Sequence, residues 1–272
     1  MFGDHQSQNS IHNGVEYLEI NKMCDDGEYR IKNMEDSSQD IKETETTSQP
    51  KLLIFLSEFF ATALLIFMIC MGCTMQIDAT VLQNCLTSGF IVMILVHTFG
   101  PISGAHLNPV VTISYMIINR LSLKETFVYF IAQFLGALTG YGLLMVITPL
   151  KYYDVPGHCM TLPNPELETW QAVTCEFLLT FVLIVAACAT WDTRNENSLD
   201  SVSIRFGLLI AALSIIGSPY TGTSMNPARS FGPALWKGDM RSQWIYWIGP
   251  TLGSVVGSYV YKLLFLKEAI NP

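Results

Sequence analysis

Two stretches hold the residues of this 272-residue chain with the clearest chemistry: SGAHLNPVVT from Ser103 and TGTSMNPARS from Thr221. Each contains Asn-Pro. Proline fits the first position of a helix, where its missing N–H costs nothing. Asn108 and Asn226 therefore read as N-caps, and Pro109–Val110 and Pro227–Ala228 open the helices behind them. A helix N-terminus carries about half a positive elementary charge, and an asparagine amide adds N–H donors. The turns at 103–107 and 221–225 read as extended and contain glycine. Their carbonyls cannot all be bonded internally, so Gly104, Ala105 and His106, and likewise Gly222, Thr223 and Ser224, supply acceptors. Donors beside a ladder of acceptors suit a small, neutral, hydroxyl-bearing solute. The positive helix ends repel cations. Glu58 and Glu176 each precede their asparagine by 50 residues. Their proposed role is to accept hydrogen bonds from the loop of their own repeat; a proton relay is the alternative. His106 reads as a buried hydrogen-bonding residue.

The elements that must position these residues are apolar. Half the chain is hydrophobic and only 14% is charged, against about 25% in soluble domains. About 20 apolar residues cross a bilayer, and six such spans are visible, near 52–73, 83–103, 126–148, 170–191, 202–218 and 243–265. The Asn-Pro segments, near 108–118 and 226–236, are too short to cross. Lipid does not tolerate the bare end of such a half-span, whereas a protein-lined water path does. SEFFATALLIF from Ser57 parallels CEFLLTFVLIV from Cys175, and FIAQFLGALTGY parallels WIGPTLGSVVGSYVY. The chain is thus read as two copies, 51–150 and 168–266, each of three spans and one short helix. An odd number of spans inverts the second copy, so the two short helices enter from opposite faces and meet N-terminus to N-terminus. Gly136 and Gly140, with Gly253 and Gly257, have the small-xxx-small spacing of close helix contacts. The fold class is an all-α polytopic membrane protein, partnered by the lipid bilayer.

Residues 1–50 hold eleven acidic and four basic residues, a net of −7. They read as a disordered acidic tail, with a short C-terminal tail at 267–272. With the N-terminus inside, the inner flanks hold Lys51, Arg120, Lys124, Arg194, Arg205, Lys262 and Lys267. The outer loops hold Lys151, Lys237 and Arg241. The positive-inside rule then places both termini in the cytoplasm. The acidic balance, with no basic stripe, excludes nucleic acid as a partner. The seven cysteines lie mostly in apolar runs and read as small core residues rather than disulfide partners. No metal cluster or nucleophile–base pair is visible, so neither a metal, a cofactor nor an enzyme activity is expected.

SGAHLNPVVT and NPARSFGPAL resemble the paired NPA signatures of the aquaporin, or major intrinsic protein, family, and the resemblance covers 51–266. It implies six tilted helices with two re-entrant half-helices, and one pore per protomer of a homotetramer, expected in the plasma membrane. The first motif departs from the pattern, with Val110 in place of alanine. Gap-free counting from the motifs places the family's outer selectivity filter at Ser88, Ser214, Thr223 and Arg229. A two-residue slip would exchange Ser88 for Phe90. Water-selective members usually carry histidine at the position of Ser214, and no histidine follows His158 in this chain. Serine there implies a wider pore, passing glycerol, urea and water. Ser230 after Arg229, with Ala234, Tyr246 and Trp247, is instead similar to the water-channel branch. The combination resembles the insect entomoglyceroporins. The alternatives are a water-selective pore, a proton-coupled transporter working through Glu58 and Glu176, and a structural protein with a closed pore.

Overall fold

The computed structural model describes residues 50–74 and 80–266. The readings of an acidic tail at 1–50 and of a tail at 267–272 fall, apart from Pro50, outside the described residues. Among those described, every regular element is helical. The first copy contains α1 (Lys51–Thr74), α2 (Val81–Ser103), the short α3 (Pro109–Ile117) and α4 (Leu123–Ile147). A four-residue turn of helix, α5 (Leu150–Tyr153), opens the connection to the second copy. That copy contains α6 (Thr169–Thr190), α7 (Val202–Thr221), the short α8 (Pro227–Lys237) and α9 (Ile245–Leu264).

The ends are written in the sequence. Thr80 with Gln83, and Ser122 with Glu125, form capping boxes at the starts of α2 and α4, each a contribution of about 1 kcal/mol. Gly104 and Gly222 end α2 and α7 in the left-handed conformation that glycine adopts freely. Five of the six long helices are both long and apolar enough to cross a membrane. The sixth, α9, is diluted by Gly249, Gly253, Ser254, Gly257 and Ser258, all buried. Its glycines are spent on contact with α6, and its serines bond to Val110 and Ser114 of α3, rather than facing lipid. Large apolar side chains such as Phe127, Leu135, Trp170 and Ile216 stay exposed on the outside of the bundle, where a bilayer covers them.

The two copies pack alike. α1 lies along α4, and α6 lies along α9, while α2 and α7 join the copies across the inverted axis. Each short helix packs on the last span of the other copy, α3 on α9 and α8 on α4. The α1–α4 contact closes on glycine: a Cβ at Gly140 would overlap the backbone of Ala63. Gly140→Val is therefore expected to splay this pair, an overpacking cost of about 1–3 kcal/mol or more. The check is the yield of monodisperse protein in detergent, which should fall sharply relative to Gly100→Ala, a position with open space beside it.

One reading is corrected. Cys70 and Cys159 are joined in a disulfide, with Cα atoms 5.3 Å apart and a sequence separation of 89. Cys73, Cys85, Cys175 and Cys188 are free thiols. An apolar run does make cysteine a good core residue, which is how Cys70 sits in α1. Its partner comes from a connecting loop that folds back over the end of α1, and no local spacing announces that return.

A second difference concerns the loops before the short helices. They are not simply extended. Gly104, Ala105 and Leu107 have φ of 84°, 47° and 54°, and Gly222, Thr223 and Met225 repeat the pattern at 72°, 48° and 50°. Left-handed non-glycine residues cost of order 1–3 kcal/mol each and persist only where surroundings hold them.

Candidate functional site

The surroundings that hold these loops are two buried carboxylates. Glu58, fully buried in α1, accepts from Ser103 Oγ at 2.7 Å, His106 N at 2.9 Å, Leu107 N at 2.8 Å and Gln133 Nε2 at 2.9 Å. Glu176, fully buried in α6, accepts from Thr221 Oγ1 at 2.6 Å, Ser224 N at 2.9 Å and Met225 N at 2.8 Å. With their amides drawn toward the glutamates, the loop peptides leave carbonyls free on the opposite side. Tyr129 and Tyr246 brace the two loop entrances from matching positions, donating to the Ser103 and Thr221 carbonyls.

Asn108 and Asn226 cap α3 and α8. Asn108 Oδ1 accepts from Val110 N at 3.0 Å. Asn226 Oδ1 accepts from Ala228 N at 3.0 Å and Arg229 N at 3.2 Å. The amide groups reach across the axis: Asn108 Nδ2 donates to Met225 O at 2.7 Å, and Asn226 Nδ2 donates to Leu107 O at 2.8 Å. Each NH₂ has two hydrogens, so one ties the loops together and one is left to serve the lumen. The positive ends of both short helices converge there.

Both asparagines line a single cavity of about 400 Å³ that runs the length of the bundle. One end lies among Val81, Asn84 and Met160, and the other among Trp191, Val202 and Phe206. Gly104, Ala105 and His106 line it from one loop, and Gly222, Thr223 and Ser224 from the other. The facing wall is apolar, with Leu65, Ile69, Val92, Val96, Leu183 and Ile210. His106 is fixed by Nδ1 against Thr112 Oγ1 at 3.1 Å and by its ring against Tyr129. Val110 is wholly buried and, like Ala228, does not line the cavity. The extra methyl groups of the departing motif thus fall in the packed core.

Ser88, Ser214, Thr223 and Arg229 line the cavity together. Phe90 does not; it is 51% exposed on the outside of α2. Ser88 Oγ bonds back to Asn84 O at 2.9 Å, in its own helix. Thr223 Oγ1 donates weakly to Ser214 O at 3.4 Å. Arg229 forms no ion pair with a carboxylate among the described residues. Its Nη1 donates instead to the Cys159 carbonyl at 2.8 Å. The sequence reading missed this acceptor and the crossed asparagine bonds. It also missed Ser218 and Cys73 as lining residues. A positive charge in a narrow lumen demands an acceptor, but nothing in the spacing says which loop supplies it.

The loop that does so is anchored through His158. Thr74 Oγ1 spends its hydrogen on the Cys70 carbonyl, so His158 Nε2 is the donor in its 2.9 Å contact with Thr74 Oγ1. Nδ1 is then free to accept from Tyr141 OH at 3.1 Å. Burial, and secondarily the Lys237 ammonium, hold the His158 pKa below its ordinary 6.5. The folded protein therefore favours the neutral ring, and the unfolded chain takes up the proton first. The stability contributed by neutral His158 is complete above about pH 6.5 and is lost as the pH falls below that value toward the folded pKa. The Tm should thus drop between about pH 7.5 and 5.5 by more in the parent than in His158→Gln, read by thermal unfolding in detergent.

The family model described as "MIP: Major intrinsic protein" matches residues 45–261. The human (Homo sapiens) lens fiber major intrinsic protein is 37% identical over 216 residues, covering 78% of this chain and 81% of that protein. Aquaporin-4 of Bos taurus is 34% identical over 194 residues, 71% of this chain and 59% of its own length. Among solved structures, the aquaglyceroporin from Plasmodium falciparum superposes with a TM-score of 0.70 at 27% identity, covering 79% of this chain and 97% of that one.

Proposed function

The chain belongs to the major intrinsic protein family and is an integral membrane protein, and from that premise we propose that it is a passive channel for glycerol, urea and water that excludes protons and ions. The observation that supports the reading is that Ser88, Ser214, Thr223 and Arg229 all line the cavity; read as its selectivity filter, they supply three hydroxyl side chains and neither an imidazole nor an aromatic ring. Hydroxyl-sized walls leave room for a three-carbon polyol. Beyond the ring, the cavity has a polar side of loop carbonyls and an apolar side of aliphatic residues. A polyol matches both, with its hydroxyls on one side and its carbon chain on the other. Protons are opposed at two places, by the Arg229 charge and by the paired helix ends at Asn108 and Asn226.

Two independent arguments support the orientation. The count of basic flanks favours both termini in the cytoplasm. The Cys70–Cys159 disulfide lies at the opposite face, and disulfides persist in oxidising, non-cytosolic surroundings. The protein would act at the plasma membrane as a homotetramer with one pore per protomer.

Proteoliposomes in an inward glycerol gradient test the reading. Re-swelling after the initial shrinkage, well above that of empty vesicles, is the expected result. Water flux without glycerol flux would sink it. That outcome is the second reading, a water-selective pore, which is favoured by Ser230 rather than aspartate following Arg229.

A further inference from the structure

The loop that supplies the acceptor for Arg229 is held to the bundle by covalent as well as hydrogen bonds. Taking the cavity as the permeation path, we propose that the Cys70–Cys159 disulfide is a specificity-determining support of the filter: it positions the Cys159 carbonyl that orients Arg229, so that breaking it widens the range of solutes the channel passes.

Four observations converge on this. Arg229 Nη1 donates to Cys159 O at 2.8 Å, and Nη2 lies 3.8 Å from Cys159 Sγ. The arginine therefore rests on the bridged residue through both nitrogens. Cys159 has φ of 57°, a left-handed conformation that a non-glycine residue holds only when its surroundings impose it. The bridge ends at Cys70 in α1, a helix whose Glu58 also holds the first loop, so one rigid element references both the loop and the arginine. Finally, Cys159 and Met160 line the cavity themselves, so any relaxation of this loop changes the lumen directly. The remaining anchors, His158 to Thr74 and Tyr141, and Thr161 Oγ1 to Ser230 Oγ at 2.7 Å, flank the bridged residue on either side. They hold the loop on either side of Cys159 without bonding to the Cys159 carbonyl itself. Loss of the bridge is thus expected to loosen Arg229 rather than to unfold the loop.

The test uses the full chain in proteoliposomes. Cys70→Ser/Cys159→Ser keeps the backbone carbonyl and removes the bridge. Stopped-flow permeabilities for water, urea, glycerol and the four-carbon polyol erythritol are measured and normalised to reconstituted protein. The ratio of the bulkiest solute to water should rise about tenfold, the scale of one charge-assisted hydrogen bond. A staple that only stabilised the fold would lower all normalised permeabilities together, through misfolded protein in the vesicles, and leave the ratio unchanged. Parent protein treated with tris(2-carboxyethyl)phosphine should reproduce the change. There the disulfide gains two electrons and two protons to give two thiols, and the phosphine becomes its oxide with oxygen from water. This arm stands even if the double variant does not fold, and the phosphine should have no effect on the double variant. Unchanged ratios in both arms overturn the proposal. If the parent passes no glycerol, the substrate reading fails separately, and the proposal is then judged on whether the solute cut-off of the bridgeless channel exceeds that of the parent.

Discussion

Ser214→His is expected to cut glycerol flux by about 10- to 100-fold while leaving water flux within about twofold of the parent. Ser214 is 8% exposed, and that exposed edge faces the cavity. An imidazole has nowhere to go but into the lumen, because Leu213 behind it is packed in a core cluster with Leu179, Leu183 and Met225. Arg229 and, from α2, Ser88 line the same cavity. Water is small enough to pass a ring narrowed in this way, and it gains a further hydrogen-bonding partner. A three-carbon polyol must force the ring open. Overpacking of this kind costs about 1–3 kcal/mol, and each 1.36 kcal/mol is about a decade in rate. Paired swelling assays in glycerol and in an impermeant osmolyte give both numbers from one preparation. Parallel losses of water and glycerol would mean that the histidine disturbs the fold rather than the ring. No change in either would mean that the serine does not border the path.

The same ring illustrates what a sequence can and cannot disclose. Residues that act within one element are legible, because a helix imposes its own period. The six long spans lie within a few residues of their expected ends, since bilayer thickness sets their length. The two Asn-Pro caps are legible for the same local reason, and their repetition at equal distance from Glu58 and Glu176 ties each loop to its own carboxylate. Contacts made across the repeat are not legible. Nothing local joins Asn108 to Met225, 117 residues away, or Asn226 to Leu107, 119 residues away. Neither does anything local join Arg229 to Cys159, 70 residues away. The left-handed residues are hidden for a different reason. Alanine, leucine, threonine and methionine avoid that conformation by themselves, so their backbone follows from the glutamate that pulls on them and not from their own preference. The 3₁₀ segment Thr193–Ser201 is likewise imposed from outside. Asp192 caps it through Arg194 N, accepts from the Arg194 guanidinium, and is held from outside by Tyr261 of α9. The lone cysteine in the loop at 159 had the chemistry of a bridge, but only the folded chain shows that it meets Cys70.

The second large effect concerns the carboxylates. Glu176→Leu should abolish the folded protein, and Glu176→Gln should lower its stability by about 2–5 kcal/mol, with Glu58→Gln at least as severe. The carboxylate of Glu176 receives three donors and that of Glu58 receives four. A glutamine can accept at one end, but its NH₂ must then face a backbone N–H, that of Met225 or Leu107. Two donors meeting in a buried site leave a hydrogen-bonding group unpaired, at about 1–3 kcal/mol each. The loop then relaxes from its left-handed backbone, and the carbonyl ladder loses its direction. Thermal unfolding in detergent and glycerol flux per reconstituted molecule should decline together. A proton-coupled transporter predicts the reverse pattern. There a Glu→Gln change keeps the fold, removes the dependence of flux on a pH gradient and blocks accumulation against a solute gradient. The parent protein distinguishes the two before any mutation is made. A channel equilibrates glycerol at the same rate whether or not a pH gradient is imposed, because its glutamates are bound to the loops and exchange no proton with the path. Flux that followed the pH gradient would return Glu58 and Glu176 to the role of carriers.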